Sequence, residues 1–289
     1  MRFVVLILTA ALFGCSDQTS TNPPEIEVPA VSPATLETTD ASPSEPDAYY
    51  EYLWCKNGPN WSGDNFRALV KGWNEINDGL SHTPVAVFGY VPSGWEDPNF
   101  DGLWVLRWAD KAAMEAGWTA YVANDSQAQL DAAHPGVLEC GAETGVNRFG
   151  FNAYVPKPIP TSFDPSNGPY YLTNQLCSFN EGKSRQDLSA VLRDHFLPAV
   201  QAVAQANPSS TYWFRVEAPD FTPTPEASFN FNWVNIWQSP EEGMASSASF
   251  AATEQGAAVQ ALMNDVATCD PVIAQPWNGY MLRAPTNNP

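Results

Sequence analysis

WVLRW (Trp104–Trp108) and WVNIW (Trp233–Trp237) are near-copies of one another, 129 residues apart in a chain of 289. Each alternates large and branched apolar side chains, the pattern of a strand that buries a face. The repeat extends outward from both. Phe100 and Phe229, Tyr121 and Phe250, and Cys140 and Cys269 keep the same separation. Upstream, VAVFGYVP (85–92) answers YWFRVEAP (212–219) at 127, and YLWC, ending at Cys55, answers NQLC, ending at Cys177, at 122. Near the ends, NAYV (152–155) answers NGYM (278–281) at 126. Drifts of a few residues are what loop insertions leave between repeated elements, so the ordered matches mark an internal duplication.

Each half reads as strand, helix, strand, strand, helix, strand. In the first half the apolar runs predict strands at 49–55, 85–91, 103–109 and 148–155. Helical spacing predicts a helix over 65–77 capped by Asp64, another from Lys111 to Val122, and a short turn over 127–133. The second half adds a long helix from Ser184 to Ala206, which Pro198 kinks or divides, and helices over 241–250 and 254–266. This βαββαβ order is the ferredoxin-like split βαβ, with sheet order four-one-three-two. The fold class is therefore α+β: two fused ferredoxin-like domains, 48–160 and 161–289, whose bare sheet faces close on each other as a barrel. The expected state is a monomer that imitates a dimer.

That topology sets the first and last strands of each half side by side and antiparallel. Cys55 ends strand one and Cys140 precedes strand four; Cys177 and Cys269 hold the equivalent places. Of the three pairings open to four cysteines, only Cys55–Cys140 with Cys177–Cys269 respects both duplication and topology.

The fifth cysteine belongs to the leader. Met1-Arg2 precedes eleven apolar residues (FVVLILTAALF, 3–13), too few to cross a bilayer as a helix and suited to a signal peptide. Leu12-Phe13-Gly14-Cys15 resembles a bacterial lipobox, which implies a signal peptide over 1–14 and lipidation at Cys15. Residues 15–47 carry six Pro and seven Asp or Glu, with no Lys, Arg or aromatic residue, and read as a solvated tether. Ser16 after the lipid cysteine resembles the outer-membrane sorting pattern of Gram-negative lipoproteins. The expected location is the cell envelope, with the lipid as the sole membrane contact. A formal charge of -19 and a pI near 4.3 exclude nucleic acid as a partner, since phosphate binding needs a basic surface.

Trp108-Ala109-Asp110-Lys111-Ala112-Ala113-Met114 and Trp237-Gln238-Ser239-Pro240-Glu241-Glu242-Gly243-Met244 both resemble the end of strand three in the dimeric α/β-barrel superfamily, especially its antibiotic-biosynthesis-monooxygenase-like members. Asp110 or Ser239 can cap the following helix, and Pro240 and Glu241 suit its first turn. The resemblance implies a small hydrophobic or aromatic partner and, if the chain is an enzyme, a monooxygenase-like oxidoreductase. The rival is a non-catalytic binding or scaffolding lipoprotein.

Ligand-binding candidates are Trp104, Trp108, Trp233 and Trp237, Asn235 between two indoles, Tyr154 and Tyr280 repeated across the halves, and His195 on the long helix. The tryptophans can wall a pocket or simply fill the core. Related haem-degrading proteins carry a His on the helix after the strand-three Trp; Trp118 and Ser247 stand near that place here, so no cofactor is expected, with haem as the alternative and His195 as its candidate ligand or a proton shuttle. No HExxH, GxSxG, P-loop or GxGxxG occurs, no metal is expected, and catalytic residues stay unassigned.

Overall fold

The alternation in AYYEYLWCKN forms β1 (Ala48–Asn57), which turns Ala48, Tyr50 and Tyr52 to one side and Tyr49 and Leu53 to the other. The computed structural model describes residues 45–224, 228–270 and 275–285. The signal peptide, Cys15 and the tether up to Ser44 lie outside the described residues. After β1 come α1 (Gly63–Asp78), β2 (Ala86–Pro92), β3 (Gly102–Trp108), α2 (Lys111–Ala123), α3 (Ser126–Ala133), β4 (Leu138–Cys140) and β5 (Arg148–Tyr154). The second half runs β6 (Tyr170–Phe179), α4 (Arg185–Val191), α5 (Leu197–Ala206), β7 (Trp213–Pro219), β8 (Phe231–Trp237), α6 (Pro240–Ala251), α7 (Glu254–Val266), β9 (Ala267–Cys269) and β10 (Gln275–Arg283).

Local chemistry departs from expectation at the cap of α1 and in two short strands, and it gives the expected break of the long helix its form. Ser62, not Asp64, caps α1: its backbone is extended and its Oγ accepts from Asn65 N at 3.1 Å, whereas Asp64 already lies inside the helix and pairs with Arg67. The long helix of the second half is divided by a π turn, Leu192–Phe196, just ahead of Pro198. Proline lacks an N–H, and its ring would strike the carbonyl four residues back, so the turn widens there. Strands β4 and β9 escape the sequence pattern because three residues are too few to show a period.

Within each half the sheet order is that of the ferredoxin-like fold: β5-β1-β3-β2 in the first and β10-β6-β8-β7 in the second. Every pairing between these strands is antiparallel. Two further pairings, β5 with β7 and β10 with β2, join the halves and close eight strands into a barrel. The duplication is visible in the register: Tyr49 faces Trp108 as Tyr171 faces Trp237. Cys55 is bonded to Cys140 and Cys177 to Cys269, at S–S distances of 2.04 and 2.09 Å, each across a β1–β4 or β6–β9 pair.

The barrel interior is filled by aromatic side chains from both halves, among them Tyr52, Tyr90, Phe151, Tyr170, Trp213 and Trp277. An ion pair sits among them. Glu217, fully buried, accepts from Arg215 Nε at 2.5 Å, Tyr52 OH at 2.6 Å and Asn232 Nδ2 at 2.8 Å. Arg215 also donates to Tyr52 at 2.8 Å, and its guanidinium lies 4.3 Å above the Tyr50 ring. Burial of both charges is tolerated because each is hydrogen-bonded as well as paired. The helices cover the outer face of the sheet, α1 to α3 over the first half and α4 to α7 over the second.

Candidate functional site

Because side chains alternate along β3, Val105 enters the barrel while Trp104, Leu106 and Trp108 face the helices. There they line a cavity of about 110 Å³ together with Trp73 of α1 and Trp118 and Tyr121 of α2. Trp73 meets Trp104 edge to face at 5.3 Å, and Trp118 meets Tyr121 likewise at 5.7 Å. Trp108 reaches this layer because α2 has a glycine below it: a Cβ on Gly117 would lie 2.3 Å from the indole. Tyr121 donates to Gln127 at 3.2 Å, and burial pushes its phenol up to about 12, so it acts as a neutral hydroxyl.

Beneath the indoles lies a carboxylate that the sequence reading passed over. Glu51, 2% exposed, points to the helix side of β1. Its Oε2 accepts from Trp108 Nε1 at 3.0 Å and from Trp118 Nε1 at 2.7 Å. Burial raises its pKa above the ordinary carboxylate value, opposed by the two indole bonds and Arg148. Across Trp118 from the indole-lined cavity, Glu51 forms the floor of a cleft of about 430 Å³ between β1, β5 and α2. Arg148 stands over the Trp118 ring at 4.8 Å, with Nε 3.6 Å from Glu51 Oε1, too far for a hydrogen bond. On the other side Tyr49 donates to Asp220 at 3.1 Å, and Lys111 pairs with the same carboxylate at 2.6 Å. Burial first, then Asp220, raises the Tyr49 phenol and keeps it protonated. Gly150 makes room for that phenol, since a Cβ there would meet the hydroxyl at 1.9 Å.

Among the described residues, the second half has no such arrangement. Thr173 takes the place of Glu51, opposite Asn235 as Glu51 is opposite Leu106. Asn235 is spent internally, accepting from Trp233 Nε1 at 2.8 Å and Tyr212 OH at 2.9 Å. Trp233 stacks on Phe214 at 4.9 Å, Phe196 meets both edge-on, and Trp237 stacks on Tyr212 at 5.2 Å. Of the sequence candidates, then, Trp104 and Trp108 line the cavity, while Trp233, Asn235 and Trp237 form a packed aromatic stack. Tyr154 lies under the Arg185 guanidinium at 4.2 Å, Tyr280 is exposed on β10, and His195 is exposed on the π turn. None of these last three enters the cavity or the cleft.

No family model matches the chain, and neither does any curated protein. Solved structures with a similar fold include a mutant chlorite dismutase from Candidatus Nitrospira defluvii (12% identity, 81% of this chain and 92% of that one, TM-score 0.44). A protein provisionally described as a monooxygenase from Fusobacterium nucleatum gives 8% identity over 83% and 95% with TM-score 0.44. An anthrone oxidase-like protein gives 11% over 81% and 91% with TM-score 0.43. Likeness at this level concerns architecture and carries no functional argument.

One expectation is corrected by these neighbours. The chlorite dismutase-like proteins are haem proteins, so the expected lack of a cofactor does not follow from this fold. The residues that line the indole cavity and the cleft offer no histidine to such a group. Its axial ligand would be His, Cys thiolate, Met or tyrosinate. His82 is exposed beside Ser81, His134 packs against Gly72 at the end of α3, and His195 is exposed. All four cysteines among the described residues are disulfide-bonded. Tyr49 is held protonated.

Proposed function

We propose that the chain is an exported, lipid-anchored envelope protein that binds a small aromatic molecule in the indole-lined cavity of its first half. The lipobox-like LFGC and the acidic, proline-rich tether support the anchor. The two disulfides support export, because such bonds persist in oxidising compartments. Among the described residues no helix is long and apolar enough to cross a membrane. The observation that carries the binding reading is the difference between the halves. The same tryptophans line about 110 Å³ of open volume in one, and in the other they pack on Phe196, Phe214 and Tyr212. That volume is of the order of the ~150 Å³ known to accept benzene, which sets the ligand at a single ring.

The test is a thermal-shift titration of the full chain in detergent micelles with toluene. Saturable stabilisation is expected, and its loss in Leu106→Phe, which fills the cavity. No stabilisation of the parent, or an equal shift in the variant, refutes the binding reading. For the anchor, labelled palmitate should enter the parent chain and not Cys15→Ser. Labelling that survives the substitution refutes it.

A further inference from the structure

The cleft floored by Glu51 has an occupant chemistry of its own. Arg148 is held in place by its Nη2, which donates to Thr144 Oγ1 at 2.8 Å, while its buried Nε has no hydrogen-bond partner among the described residues. Buried donors left this way are rare in folded proteins and call for a partner. Facing it, Glu51 Oε1 receives no donor from the described residues, since both indoles bond to Oε2. An unused donor and an unused acceptor thus stand 3.6 Å apart at the bottom of a cleft of about 430 Å³, a volume typical of small-ligand sites. A hydroxyl serves both, accepting from Nε and donating to Oε1.

The surroundings narrow the class. Trp118, Met114 and Phe221 supply an apolar wall for a ring. The charged groups facing the cleft are Glu51, Glu115 and Asp220 against Arg148 and Lys111, so an anion meets the carboxylates and a cation meets the two bases. A neutral ligand avoids both. We infer that the cleft binds a neutral phenol, its ring against Trp118 and Phe221 and its hydroxyl between Arg148 Nε and Glu51 Oε1. Its occupancy is separate from that of the indole cavity across Trp118.

The test is isothermal titration of the full chain in detergent micelles with 4-nitrophenol below its pKa, against a blank of empty micelles. Saturable one-site binding is expected. Glu51→Gln, which leaves an acceptor for the indoles but replaces the carboxylate, should weaken it at least ten-fold. Thr119→Trp acts from the exposed face of α2 and blocks the cleft without touching its floor, so it should abolish binding even if the Glu51 variant folds poorly. 4-Nitroanisole, which has the ring but no hydroxyl, should bind at least ten-fold more weakly. Absence of saturable binding, binding by Thr119→Trp within two-fold of the parent, or equal affinity for the anisole overturns the assignment. So does a folded Glu51→Gln chain that binds as the parent does.

Discussion

Replacing Glu217 by leucine removes the acceptor of three hydrogen bonds from the centre of the barrel and leaves Arg215, 2% exposed, without its counter-ion. The remaining company of that guanidinium is the hydroxyl of Tyr52, a longer contact to Tyr90 at 3.4 Å and the faces of Tyr50 and Trp213. None of these carries a negative charge. Breaking a buried pair at one end costs about 3–5 kcal/mol, because the surviving charge stays desolvated. For a domain of this size each kcal/mol moves the melting midpoint by roughly 2–4 °C, so Glu217→Leu should melt about 6–20 °C below the parent. Circular dichroism melts with the disulfides intact give the measurement. The decisive comparison is a double-mutant cycle: Arg215→Met with Glu217→Leu removes both charges together and should be less damaging than either single change. A Glu217→Leu melt within 2 °C of the parent, or a double variant that sums the two singles, would refute this account of the core.

Glu51→Gln should alter the pH dependence of stability in a known direction. Burial raises the folded-state pKa of Glu51, so its burden on the fold is absent below the ordinary carboxylate value, grows as pH rises from there to the raised value, and stays constant above. The melting difference of the Gln variant over the parent should therefore increase through that window, and a flat difference from pH 4 to 8 would contradict it. Gly117→Ala drives a Cβ into Trp108; strain of about 1–3 kcal/mol against a gain of about 1 kcal/mol in helix propensity leaves a net loss, read as a lower urea midpoint. An unchanged or higher midpoint would show that Trp108 can move aside. Removing Cys177–Cys269 as a double serine variant opens a loop of 92 residues and should lower stability by roughly 4–5 kcal/mol in the chain-entropy treatment, with equilibrium denaturation as the check.

The architecture was legible because it rests on periodic, repeated signals. Alternating aromatics marked the eight barrel strands, and the duplication placed the cysteines, even though the three-residue strands that carry two of them were too short to be seen. The site was harder to read. Glu51 sits in YYEYLW, and a charge amid an apolar strand is itself a warning, yet its partners Trp118 and Arg148 lie 67 and 97 positions further along the chain. The same warning stood in WFRVEAP, where Arg215 and Glu217 are two apart on one face of a strand otherwise made for a core. Conversely, Tyr154 and Tyr280 match across the repeat but perform different tasks, one beneath a guanidinium and one at the surface. Pairwise likeness between halves identifies shared scaffold; the chemistry lies where the halves differ, as Glu51 and Thr173 do.

Closure of the barrel has a consequence for how such chains behave when crowded. Each of the eight long strands has a neighbour on both sides, so none offers the row of unpaired amides on which a second copy could add a strand. Among the described residues, the strands with one neighbour are β4 and β9, three residues each, and a disulfide staples each to the strand beside it. Edge-to-edge growth of the sheet therefore has only these short, fastened rims to start from, however closely the copies are gathered.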